Sequence, residues 1–216
     1  MTHGQVSSLA RPSAALWIGS AFCAALSLSG IALAALGAGE RGTDVALQLS
    51  GRLSFLLFWP SYVGGPMATL FGPSFQPIRQ RAREFGLAFA SAHLIHLGLV
   101  GWLVHVGATP PLGTFVFFGI AVMWTYLLAL FSIQALQRSL HSAGWWLLRA
   151  VGLNYIAYAF AVDFLRYPEF GSIKYWAGYL PFAVLSIIGP LLWIAAFALR
   201  AAAQVQKTRT GFSKSS

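Results

Sequence analysis

Residues 113–136 read GTFVFFGIAVMWTYLLALFSIQAL, a run without a single Asp, Glu, Lys or Arg. A helix rises ~1.5 Å per residue, so about 20 apolar residues cross the hydrocarbon core of a bilayer, and this run is long enough to do so. Runs of the same kind recur on either side of it, at 14–38, 46–71, 85–107, 145–165 and 176–199. Polar or turn-forming breaks separate them: Gly39–Asp44, Gly72–Arg83, Ala108–Leu112 with Pro110 and Pro111, Gln137–Gly144 and Arg166–Tyr175. Short connections make consecutive spans antiparallel neighbours, and lipid offers backbone groups no partner outside a helix. The expectation is an all-α integral membrane protein, a six-transmembrane helix bundle over residues 14–200. A tail at 1–13 precedes it, and a basic tail at 201–216, expected to be disordered at the membrane surface, follows.

Composition agrees with that solvent. Hydrophobic residues make up 57% of the 216 and charged residues 9%, about a third of the ~25% usual in soluble domains. The net charge of +9 does not form one stripe for nucleic acid; it collects between and beyond the apolar runs, where it sets topology. Arg11, Arg79, Arg81, Arg83, Arg138, Arg200, Lys207, Arg209 and Lys214 fall on one side, and Arg41, Arg166 and Lys174 on the other. Nine against three puts both termini in the cytoplasm. Trp17, Trp59, Trp102, Trp145, Trp146, Tyr175 and Trp176 are expected at the interfaces, where an apolar ring with a polar edge is best solvated. The single cysteine, Cys23, rules out an internal disulfide or a Cys-based metal cluster. The first run exceeds the ~7–15 residues of a signal-peptide core, which predicts a retained helix. No mitochondrial-type presequence precedes it, and the charge pattern suits a bacterial inner membrane.

Polar groups at membrane depth carry the functional information. The third run holds His93, His96 and His105, and the spacing of the first two sets them on nearly one helix face. His96 lies about twelve residues into its span, or ~18 Å deep. A neutral imidazole there either ligates haem iron or another metal, contacts a quinone, or hydrogen-bonds between helices with no cofactor. Two histidines of one helix cannot sandwich a haem, and no other span contains one. Arg52, Arg149 and Asp163 are the remaining charges in or near the spans. Arg52 and Asp163 are candidates for a structural pair near the outer face, with Arg166 an alternative partner for Asp163 and snorkelling the simpler reading of each arginine. Gly64-Gly65-Pro66, Pro181 and Pro190 predict kinks or close helix approach. No nucleotide loop, nucleophile elbow, His-Glu-x-x-His or Cys-x-x-Cys motif occurs, and no soluble segment is long enough to bind flavin or nicotinamide.

Three segments resemble the ferric-reductase-like transmembrane domain family, in particular its branch of haem-binding membrane subunits of methionine-sulfoxide reductase systems. Ser50-Gly51-Arg52-Leu53 is similar to the family's Gly-Arg start of the second helix, with Pro66 matching a later proline. Arg83-Glu84-Phe85-Gly86-Leu87 resembles the basic Gly-Leu start of its third helix, and ten residues after Gly86 stands His96, where the family carries a haem ligand. Gly144-Trp145-Trp146-Leu147-Leu148-Arg149 resembles the start of helix five. The chain departs from the pattern there: the family's Leu-His-Arg is Leu147-Leu148-Arg149-Ala150, and its later histidine falls near Val162 or Asp163.

The resemblance implies a haem b site using His96 or His93 and electron transfer between a quinone or redox partner protein and an outer acceptor, a membrane oxidoreductase component with no flavin or nicotinamide of its own. A haem-less anchor or assembly subunit of the same fold is the alternative the missing histidines allow. A small proton-coupled transporter using His93, His96, Asp163 and Arg52 is a third, though no paired halves or matched broken helices accompany it.

Overall fold

A computed structural model describes residues 13–107, 109–132, 136, 141–166 and 178–212, with side chains placed through 206. His3, Arg11, Arg138, Lys174, Tyr175, Trp176 and Lys214 therefore lie outside the described residues, as do the side chains of Lys207 and Arg209. The described chain is helical, with no strand.

Its helices are α1 (Ala14–Leu36), α2 (Glu40–Phe71), a 3₁₀ turn (Gly72–Phe75) leading into the short α3 (Gln76–Gln80), α4 (Ala82–His105), α5 (Leu112–Phe131), α6 (Ser142–Leu165) and α7 (Leu180–Phe212). Five of them, α1, α4, α5, α6 and α7, are long and apolar enough to cross a membrane. Helix α2 is longer than any of these but α7, yet carries Glu40, Arg41, Asp44 and Arg52 in its N-terminal half.

Helix ends depart from the apolar runs for one reason: hydropathy marks the lipid-embedded stretch, while backbone hydrogen bonding continues beyond it. Residues 40–44, expected as a loop, are the first turns of α2, and the α1–α2 connection shrinks to residues 37–39. Gly37 makes that tight turn at φ 84°, a backbone a side chain resists, with its N–H bonded to Leu33 O at 2.8 Å. The expected break at 72–83 holds the 3₁₀ turn and α3. The tail at 201–216 is not a separate disordered segment from its start, since α7 continues through Phe212.

Helices α1, α2 and α4 pack mutually; α2 also packs on α7, α7 on α6 and α6 on α5, while α5 only grazes α4. This arrangement leaves α2 in the interior. Phe55, Phe58, Val63, Ser50 and Ser54 are almost wholly buried, and Phe55 meets Phe160 and Phe164 edge-on, both at 5.1 Å. Ala21 and Ala25 of α1 face Ala88 and Ala92 of α4, small residues that let two helices approach closely. Outward faces are apolar in turn: Leu112, Ile31 and Ile194 are 79%, 67% and 65% exposed, a surface suited to lipid and costly in water. Trp59, expected at an interface, sits mid-α2, and its Nε1–H donates to Leu185 O of α7 at 3.0 Å.

Candidate functional site

The two inner histidines lie on the seam between α2 and α4. Gly51 lies against one of them: a Cβ there would meet His96 Cε1 at 3.5 Å, an ordinary van der Waals contact. The neighbouring Ser50 Oγ lies 3.0 Å from His96 Nδ1 and also reaches Leu47 O at 3.1 Å. A hydroxyl has one proton to give. With that proton on the Leu47 carbonyl, Ser50 accepts from His96 Nδ1–H, which makes Nε2 the unprotonated nitrogen. His93 stacks on His96 with centroids 5.1 Å apart and planes 15° from parallel, and its other side meets Phe89 at 5.4 Å. His93 Nδ1 is buried without a hydrogen-bond partner among the described residues. The sequence-predicted pair is therefore brought together, while His105 lies apart at the far end of α4 beside Trp102, 5.7 Å away.

A haem ligated here would need an opposing ligand and a slot for the macrocycle. No histidine stands on a helix facing the pair, and no cluster of three potential metal-ligating side chains occurs among the described residues. Leu148 occupies the helix α6 position where the resemblance expects a histidine. The rings are packed on one another and on Phe89, and neither histidine lines the arginine-rich cavity between α2, α4, α5, α6 and α7. The residues present do not fit a six-coordinate haem.

Arg52 and Asp163 are not joined by an ion pair among the described residues. Arg52 instead reaches Gln48 Oε1 at 3.4 Å and lies over the rings of Tyr179 and Phe182, at 5.1 and 5.8 Å. A Cβ on Gly178 would come within 3.0 Å of its guanidinium. Cation–π contact with two α7-end aromatics replaces the carboxylate as its partner. Asp163 is exposed on α6, with Arg166 the cation that acts on it. Arg149 lies over Trp145 at 5.7 Å.

A cavity of about 490 Å³ opens at the bundle end formed by the C-termini of α2, α5 and α7 and the N-termini of α4 and α6. Four arginines from four helices line it: Arg79 (α3), Arg83 (α4), Arg149 (α6) and Arg200 (α7). Arg83 Nε donates to Ser132 O at 2.9 Å, and Arg200 donates to Thr69 Oγ1. Deeper in, the wall is Phe58, Phe89, Leu153, Ile156 and Trp193. Sequence reading counted three of these arginines only as topology determinants. The signal that could have found the site was their recurrence at the same end of successive helices, next to Trp145, Trp146 and Trp193.

No family model, curated protein or solved structure matches this chain.

Proposed function

We propose that the chain is a six-span membrane protein of the ferric-reductase-like type, both termini cytoplasmic in a bacterial inner membrane, that serves as a haem-less anchor or assembly subunit. The observation that carries this reading is the histidine seam: His93 and His96 are stacked on one another and packed against Phe89, and no facing helix offers a second axial ligand. In this reading His96 bonds Ser50 across the α2–α4 seam and His93 contributes packing against His96 and Phe89.

Six spans are supported by the burial of α2. Its lower hydropathy reflects a helix wrapped by α1, α4 and α7, which needs fewer apolar side chains than one facing lipid. Orientation is supported by Arg79, Arg81, Arg83 and Arg200 sharing one end of the bundle, against Arg41 and Arg166 at the other.

Two nitrogens favour the redox alternative: the unpartnered His93 Nδ1 and, with Nδ1–H held by Ser50, the unprotonated Nε2 of His96, either able to ligate iron in a five-coordinate site. An absorption spectrum of protein purified with haem supplied decides between the two readings. The expected result is no Soret band and no reduced-minus-oxidised difference. A stoichiometric Soret band that His93→Ala or His96→Ala abolishes, while His105→Ala does not, would establish the electron-transfer reading instead.

A further inference from the structure

The four-arginine cavity meets the histidine seam only at Phe89, and its arginines stand apart from that seam. We propose that it is a binding site for the phosphate head group of an anionic phospholipid, whose acyl region enters the bundle.

Charge, depth and shape each point to that ligand. Arg79, Arg83, Arg149 and Arg200 converge on one cavity, and no Asp or Glu is among its lining residues. Four cations around one space, with no carboxylate to balance them, leave an unmet need for anionic charge. Guanidinium forks match phosphate oxygens in geometry as well as sign. Among the described residues the Arg79 side chain makes no hydrogen bond or ion pair, and it is exposed at the rim.

The cavity lies where span ends meet the head-group layer, marked by Trp145 and Trp146 at the start of α6. A soluble anion would find a polar floor more suitable. Here the floor is Phe58, Phe89, Leu153 and Ile156, and from Arg149 to Ile156 is seven residues, or ~10 Å along the helix. Charge at the rim over ~10 Å of apolar wall describes an amphiphile. The volume, about 490 Å³, falls within the ~300–1,000 Å³ of ordinary small-ligand sites. Helices α4 and α5 both line the cavity yet pack on each other little, joined there by Arg83 to Ser132 O and by Tyr126 OH to Ala90 O at 3.2 Å.

Tryptophan fluorescence tests this directly, because Trp145, Trp146 and Trp193 line the cavity. The full chain is reconstituted in phosphatidylcholine bilayers with increasing mole fractions of phosphatidylglycerol brominated on its acyl chains. Quenching is expected to saturate at low mole fraction, with Trp193→Phe removing much of the saturable part. Brominated phosphatidylcholine in a phosphatidylglycerol background should quench only in proportion to its abundance. Arg79→Gln should move the half-saturation point about fivefold higher, the worth of one arginine near a lipid surface, and Arg79→Lys should restore most of it. Arg149→Gln is the second variant should the first not fold. Equal, non-saturating quenching by the two lipids overturns the proposal. Relief of the quenching by tens of millimolar inorganic phosphate would also overturn it, by assigning the site to free phosphate.

Discussion

Ser50 and His96 stand 46 positions apart in sequence and 3.0 Å apart in space. If their hydrogen bond is what His96 is for, Ser50→Ala should cost about 1 kcal/mol in reversible unfolding from detergent, within the range measured for interhelical bonds in membranes. It should cost nothing further once His96 is already Ala, because the partner is gone. A double-mutant cycle reads the difference, and additive losses would remove the bond from the account. The histidines' shared face was legible, since positions three apart on a helix are neighbours. Ser50 was not, because cross-helix partners leave no trace in the periodicity of either helix. Arg52 teaches the same lesson from the other direction. Charge alone suggested Asp163, but an arginine at that depth is equally served by the faces of Tyr179 and Phe182, and a sequence cannot rank two partners that lie on other helices.

Helices α2 and α3 meet at a pair of adjacent glycines whose surroundings differ. A Cβ on Gly64 would stand 3.1 Å from Ile78 Cγ2 and 3.2 Å from the Arg79 backbone nitrogen, whereas one on Gly65 meets nothing within 4 Å. Ile78 can turn away; the Arg79 backbone moves only if α3 moves. Gly64→Ala is therefore expected to destabilise by about 1–3 kcal/mol as an overpacked contact. Gly65→Ala should be neutral or stabilising by up to about 1 kcal/mol, since alanine favours the helix. Thermal denaturation of both variants in detergent measures the contrast, and equal effects would mean that α3 does not seat on α2. The sequence made Gly64-Gly65-Pro66 visible as a place of close approach without saying which glycine was approached, because α3 lies in a stretch read only as a break. That the chain is a series of long apolar helices was legible, five of them long and apolar enough to cross a membrane, because apolar runs of spanning length are hard to mistake. Element ends were not, since residues 40–44 and 201–212 are helical without being apolar.

At the level of the whole molecule, the cavity was the least legible feature, because it gathers residues from α2 through α7 and no segment contains it. What the sequence does dictate globally is charge asymmetry, and topology is where that asymmetry is tested. Reporter fusions after Phe71, Gln137 and Ser216 are expected to report cytoplasm, and those after Gly39, Thr109 and Glu169 the outer side. Helix α2 decides the outcome. It is 32 residues long, ~48 Å at helical rise against a core of ~30 Å, so length is no obstacle. Its acidic and basic residues sit in its first 13 positions, Glu40 to Arg52, leaving residues 53–71 uncharged. If α2 crosses, Gly39 and Phe71 report opposite sides, and the arginines of 79–83 lie with Arg200 in the cytoplasm as the positive-inside bias requires. If α2 lies along one surface instead, Gly39 and Phe71 report the same side. An odd number of spans would then remain, and Ser216 would face away from the first residues of the chain. Packing of α2 between α1, α4 and α7 argues for crossing, because a helix that runs antiparallel beside α4, with Ser50 at His96, Phe58 at Phe89 and Ser61 at Gly86, shares that helix's depth. A matching pair of signals at Gly39 and Phe71 would defeat the six-span topology and, with it, the cytoplasmic assignment of the arginine-lined mouth.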